Sequence, residues 1–124
     1  MIVKKPWGEE RIIAHADNYV VKEIRIRKGC RLPLQYHREK TETLILVTGD
    51  GYIERNYIES SIDHFYSDNI SVERYYPAYM EPVHVPPGMI HRIGCHNTDT
   101  VFIEISSTEL DDVVRLEDDY GRNG

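Results

Sequence analysis

The 124-residue chain has little cysteine, a single tryptophan and a shortage of positive charge, and each scarcity excludes something. Two cysteines, Cys30 and Cys95, cannot build the disulfide framework of a small secreted domain. A reduced pair of thiols is expected, in keeping with a cytoplasmic protein. No apolar run approaches the ~20 residues of a membrane span. The start, Met1-Ile2-Val3-Lys4-Lys5, leads into Pro6-Trp7 rather than into the apolar core of a signal peptide. Fifteen Lys and Arg against 21 Asp and Glu leave a net charge of -6. That balance argues against a general nucleic-acid or anionic-membrane binder. It leaves room for a small anion, because local charge decides that case. Helical periodicity is scarce, and there is no internal repeat and no Gly-rich phosphate loop ahead of a helix. What remains is the length of one domain with an ordinary apolar share.

Strand signals fill that length. Tyr19 to Arg27 alternates, with Lys22, Ile24 and Ile26 on one face and Glu23, Arg25 and Arg27 on the other. Gly29 ends it. Leu32 to His37 predicts the next strand, with Pro33 tolerated near its start. Thr43 to Val47 is an apolar run closed by Thr48-Gly49-Asp50-Gly51, and Tyr52 to Ile58 is expected to return beside it as a hairpin. Glu81 to Val85, His91 to Ile93 and Val101 to Ser106 supply later strands. Many short strands with Gly and Pro turns predict an all-β sandwich or barrel. The acidic stretch from Leu110 to Tyr120 predicts a short helix or an ordered arm. Residues 1–124 therefore read as one domain, with an N-terminal arm over 1–18, a Tyr-rich insert over about 58–80 and a C-terminal arm over about 107–124.

Four residues in two separated motifs carry the chemistry. Gln35 and His37 are two apart, so on a strand they share a face. A tight turn then lets Glu42 face the same point from the neighbouring strand. His91 arrives from a later strand behind a Pro86-Pro87-Gly88 corner. Two imidazoles and two oxygens form a borderline-hard set that suits one divalent ion, Zn foremost, with Mn, Co, Fe or Ni also compatible. Gln is a neutral donor, which leaves the ion more Lewis acidic and favours polarising a sugar oxygen over redox work.

These motifs resemble those of the cupins. Gly29, Gln35-x-His37, Glu42 and Gly49 follow the first cupin motif, and Pro86-x-Gly88-x-x-His91 follows the second. Within the cupins the chain is similar to the type II mannose-6-phosphate isomerase domain, often the C-terminal part of bifunctional isomerase/mannose-1-phosphate guanylyltransferases. Lys5-Pro6-Trp7-Gly8, Tyr19 to Gly29, Val85-Pro86-Pro87-Gly88, His91-Arg92, Ile103-Glu104-Ile105 and the tail from Asp111 to Arg122 carry that likeness. The tail is the most specific of these. The resemblance implies a single-domain cupin, a double-stranded β-helix of jelly-roll type, binding one divalent metal. It also implies a homodimer, joined by exchanging or abutting edge strands, that interconverts mannose 6-phosphate and fructose 6-phosphate. Arg38 and Glu39 stand where the family often has His.

The isomerase reading needs proton carriers and phosphate anchors. Lys22, sharing a face with Ile24 and Ile26, points into the barrel and matches a family Lys. It is a candidate acid/base or enediolate clamp. Glu104 is either wet or placed in the cavity. Alternation puts Val101, Ile103 and Ile105 on the core face and Glu104 in solvent, whereas the family places a Glu here as a base or as a partner of Lys22. Lys40, Arg92 and Arg122 are the phosphate candidates. Lys40 replaces an Arg common in the family, and Arg92 needs a bulge to reach the metal from beside His91. Phe65, Tyr66, Tyr75, Tyr76 and Tyr79 can floor a sugar, form a dimer contact or pack on themselves. Trp7 reads as a staple between the N-terminal arm and the barrel. Three rivals stand beside the isomerase: an isomerase or epimerase of another sugar phosphate or nucleotide-sugar, a non-catalytic sugar-binding cupin, and an Fe(II) dioxygenase.

Overall fold

A computed structural model describes residues 1–56, 71–109 and 111–121. The described residues form eleven strands and no helix. In chain order they are β1 (Ile2–Lys5), β2 (Gly8–His15), β3 (Val20–Ile26), β4 (Leu34–Tyr36), β5 (Glu42–Thr48) and β6 (Tyr52–Arg55). Then come β7 (Glu73–Tyr75), β8 (Pro82–Val85), β9 (His91–Gly94), β10 (Thr100–Ser106) and β11 (Val114–Glu117). They build a six-stranded sheet, ordered β1-β2-β3-β10-β5-β8, and a five-stranded sheet, ordered β11-β4-β9-β6-β7. The pairings are antiparallel throughout.

The period-2 pattern explains the layers. On β5, Leu44 and Leu46 are buried, while Thr43, Ile45 and Val47 between them are half-exposed. The buried set joins Ile24 and Ile26 from β3, Ile53 from β6, Ile93 from β9 and Phe102 from β10 between the two sheets. Trp7, 3% exposed, belongs to this core, so the N-terminal arm is stapled to the barrel as expected. That arm is itself a β-hairpin, β1 with β2, on the edge of the six-stranded sheet. Cys30 and Cys95 are free thiols. No helix among the described residues is long and apolar enough to cross a membrane.

Three sequence expectations are corrected. First, β6 does not return beside β5; it pairs with β9 and β7 in the other sheet. Gly49 and Gly51 make that crossing. Gly49 has a positive φ of 100°, and a Cβ on Gly51 would sit 2.6 Å from the Phe102 ring. Second, of the two forms expected for the acidic tail the helix is not found among the described residues; the tail is ordered instead by a strand, β11, paired with β4. Third, the faces of β10 are exchanged. Phe102 is fully buried, which sets the inner face, so Thr100, Glu104 and Ser106 point in with it. Val101, Ile103 and Ile105 point out. Local alternation cannot distinguish the faces when both carry apolar side chains, and the size of Phe102 decided the matter.

Candidate metal centre

The cluster forms where the two sheets meet. His91 opens β9, Gln35 is its register partner on β4, and His37 follows β4 directly. Glu42 opens β5 in the opposite sheet. It therefore faces the imidazoles across the barrel, not from a neighbouring strand as expected. His37, Glu42 and His91 are all nearly buried and offer ligand atoms within 4.8 Å of one another. His91 Nε2 lies 2.7 Å and His37 Nε2 3.6 Å from the same oxygen, Glu42 Oε1.

The outer nitrogens of both rings are occupied. His37 Nδ1 lies 2.6 Å from the carbonyl oxygen of Asp112, and His91 Nδ1 lies 2.9 Å from that of Met89. A carbonyl only accepts, so each Nδ1 carries a hydrogen and each Nε2 turns inward; His91 Nε2 donates to Glu42 Oε1, and a bound metal would take the place of that proton. His37 Nε2 is buried with no hydrogen-bond partner. Orienting carbonyls behind two imidazoles, with a carboxylate between them, is what a divalent-metal site requires, and the donor set fits one. Burial opposes charge on Glu42, but contacts from His37, His91 and Lys40 outweigh it and hold its pKa well below the usual range. Burial likewise lowers the pKa of His91, yet the adjoining Glu42 carboxylate raises it on balance. A proton and a metal ion thus compete for one pair of donors.

Glu104 is inside, 8% exposed, and the alternation argument that left it in solvent is overturned. It sits on β10 in register with Lys22 of β3 and Leu44 of β5. Burial first, then the charge of Glu42, pushes its pKa up to about 7, against the pull of Lys40 and Lys22. Lys40 is buried as well, with Nζ 3.2 Å from Glu104 Oε2 and 3.5 Å from Glu42 Oε2. Burial lowers its pKa, but Glu104 and Glu42 together raise it. Lys40 is therefore a bridge between two carboxylates, and its charge is already matched before any phosphate arrives.

A cavity of about 120 Å³ opens onto this cluster, lined among others by Lys5, Glu10, Lys22, Gln35, His37, Lys40, Glu104 and Arg115. Lys22 points into it as expected, and its ammonium lies 3.7 Å from Glu10 of the N-terminal hairpin. Arg92 is not among the residues lining this cavity, although it borders a smaller adjoining space with Gln35, Glu42, His91 and Glu104. Regular pairing of β9 with β6 sends its guanidinium to the other side of the sheet, 3.1 Å from Glu54 and 2.7 Å from Glu117. Arg122 lies outside the described residues, as do Phe65 and Tyr66. Tyr75 packs against the core, Tyr76 meets His96, and Tyr79 is 71% exposed. A larger cleft of about 600 Å³, between the β1–β2 hairpin and the start of β10, contains none of the buried titratable groups.

Sequence reasoning missed Asp112, Glu10 and Arg115. Asp112 accepts backbone N–H groups from Arg38, Glu39 and Lys40, which lowers its carboxylate pKa and shapes the loop between β4 and β5. Its carbonyl orients His37. Arg115 on β11 is in register with Gln35, and its buried Nε has no partner. The specificity of the tail was the available signal for both residues; reading it as an arm hid their alternation.

An antiparallel two-sheet barrel with two imidazoles and a carboxylate converging inside it is a cupin. The chain belongs to the mannose-6-phosphate isomerase C-terminal family, whose model matches residues 1–118. It is 30% identical to a mannose-1-phosphate guanylyltransferase of Salmonella muenchen over 96% of its own length and 23% of that protein. The chain thus spans under a quarter of the curated relatives it matches. Among solved structures it is similar to the capsular polysaccharide assembling protein CapF of Staphylococcus aureus. That likeness has a TM-score of 0.75 and 22% identity, covering 94% of this chain and 34% of that one. The structure of KdgF from Halomonas sp. is similar with a TM-score of 0.64 and 16% identity, over 87% and 86% of the two chains. These structural likenesses concern the fold.

Proposed function

We propose that this domain is a metal-dependent aldose–ketose isomerase that interconverts mannose 6-phosphate and fructose 6-phosphate. One observation carries the reading: Glu104, a carboxyl whose pKa is pushed up to about 7, lines one cavity with His37 and another with Glu42 and His91, the three residues whose ligand atoms converge. His37, Glu42 and His91, with Gln35, would hold one divalent ion. When bound, that ion supplies Lewis acidity toward sugar oxygens. Isomerisation moves a proton between C1 and C2, and a carboxyl poised near the operating pH suits that transfer in both directions. Glu104 takes this role. Lys40 keeps it close to Glu42 and sets its charge. Lys22 at the cavity wall offers an ammonium to negative charge developing on the substrate.

Size and charge support a position for the rest of the substrate. A hexose phosphate is larger than the cavity, so the reacting end enters and the phosphate stays at the mouth. Arg115, with an unpartnered buried Nε, and Lys5 supply cations there. Arg115 takes the part that the sequence had given to Arg92, whose guanidinium is matched by two carboxylates.

The test is turnover of mannose 6-phosphate by metal-replete and chelator-treated protein. Turnover that needs metal and disappears in His91→Ala is the expected result. No turnover with Zn, Mn, Co or Fe would sink the isomerase assignment and turn the search to other sugar ligands.

A further inference from the structure

Glu10 is a carboxylate among apolar neighbours. It lies on β2 in register with Ile24 of β3, which in turn pairs with Phe102 of β10, so it stands on the core face of the six-stranded sheet. It lines the cavity of about 120 Å³ together with Lys5 and Lys22. Lys22 Nζ is 3.7 Å and Lys5 Nζ 3.9 Å from the same oxygen, Glu10 Oε1. Those distances make ion pairs but exceed a hydrogen bond. No described residue donates a hydrogen bond to either oxygen. A carboxylate only accepts, at about four lone-pair sites. Two ammonium groups therefore hold Glu10 in place while its acceptor capacity stays open to the cavity. The wall formed by β11 differs: there Arg115 brings a buried Nε with no partner.

We propose that Glu10 is a specificity-determining residue, accepting hydrogen bonds from hydroxyls of the sugar while the phosphate goes to the Arg115 wall. This rests on the reading of the cavity as a sugar-phosphate site. Adjacent hydroxyls are paired donors, and one carboxylate has the lone pairs to take both in charge-assisted hydrogen bonds. Position selects which hydroxyls these are. One strand, β3, separates β2 from β10, so Glu10 stands about 10 Å across the sheet from Glu104. With C1 and C2 at Glu104, Glu10 faces hydroxyls farther along the carbon chain. A ligand in which those hydroxyls are missing or inverted leaves the carboxylate without its donors, and a site built to hydrogen-bond a hydroxyl discriminates strongly against such a ligand.

The test is calorimetric titration of the metal-loaded protein with two probes, mannitol 1-phosphate and inorganic phosphate. Mannitol 1-phosphate carries sugar-like hydroxyls and a phosphate but has no carbonyl to isomerise. Glu10→Ala should weaken mannitol 1-phosphate by about 10–100-fold and leave inorganic phosphate within about twofold. Glu10→Gln should recover part of that loss, because an amide oxygen still accepts. Unchanged mannitol 1-phosphate affinity in Glu10→Ala overturns the proposal. So does an equal loss for both probes, or a Glu10→Gln as weak as Glu10→Ala, since Glu10 would then act only by holding the two lysines. If Glu10→Ala does not keep the wild-type far-UV spectrum and metal content, Glu10→Gln decides: a loss confined to mannitol 1-phosphate supports the proposal, and no loss or an equal loss overturns it. A wild type that fails to bind mannitol 1-phosphate defeats the sugar-phosphate reading and the proposal with it. Wild-type turnover of mannose 6-phosphate beside unaltered binding in Glu10→Ala defeats the proposal alone.

Discussion

On the outer side of the five-stranded sheet stand Glu54, Arg74 and Arg92, tied to one another and to Glu117 by ion pairs of 2.7–3.1 Å. On the outer side of the six-stranded sheet stand Val21, Ile45, Val47, Ile103 and Ile105, which have no polar atoms to pair. The inner sides differ as well. The five-stranded sheet contributes His91, Gln35 and, just beyond β4, His37; the six-stranded sheet contributes Glu42 and Glu104. Neither sheet contains the site. The lesson is a division of labour: one sheet presents imidazoles and an amide and backs them with buried charge pairs, while the other presents carboxylates and backs them with an aliphatic cluster bordered by the more exposed ion pairs of Glu23.

That division can be broken first at the carboxylates. Glu104→Gln keeps the shape and removes the titration. Turnover should fall by about 10²–10⁴-fold, with metal content unchanged. Unaltered turnover would mean that the six-stranded sheet supplies only Glu42.

The two backs come next. Arg92→Ala leaves Glu54 buried with the half-exposed Arg74 as its ion-pair partner, and should cost about 3 kcal/mol in urea unfolding. Val47→Thr, in the aliphatic cluster on the other back, should stay within about 0.5 kcal/mol in the same measurement. Equal costs would show that the ion pairs are no more structural than the bare face.

The smallest effect concerns the tail that forms an edge of the five-stranded sheet. Asp112→Ala removes the acceptor for three backbone N–H groups and loosens the carbonyl that orients His37. Metal affinity, read by calorimetric titration, should drop by about tenfold. The pH dependence has a definite sign. The carboxylate pKa of Asp112 is depressed in the folded chain, so its stabilisation is present above the ordinary value of 3.8 and is lost as pH falls through the folded value. Unfolding midpoints of the wild type should therefore fall more steeply on acidification than those of Asp112→Ala. Parallel slopes would remove Asp112 from the tail's anchoring.

Much of this division was legible beforehand. The strands over Val20–Ile26, Glu42–Thr48 and Thr100–Ser106 follow from β-branched runs between Gly and Pro turns. The His37, Glu42 and His91 set follows from motif spacing. Sheet membership was not legible: Gly49-Asp50-Gly51 reads equally as a hairpin turn or as a crossing, and the contact of Gly51 with Phe102, 51 positions away in the chain, decides it. The tail was left open between a helix and an ordered arm because Val114–Glu117 is a strand only by virtue of β4 beside it.

By itself, then, the sequence determined which segments extend and which side chains are able to bind a metal, because both depend on local residue type and spacing. The tertiary structure alone decided which face of each strand is inside, which carboxylate reaches the cavity and which arginine is already neutralised. Those outcomes depend on the packing of Phe102, on register and on the charges that other strands bring, none of which a single segment contains.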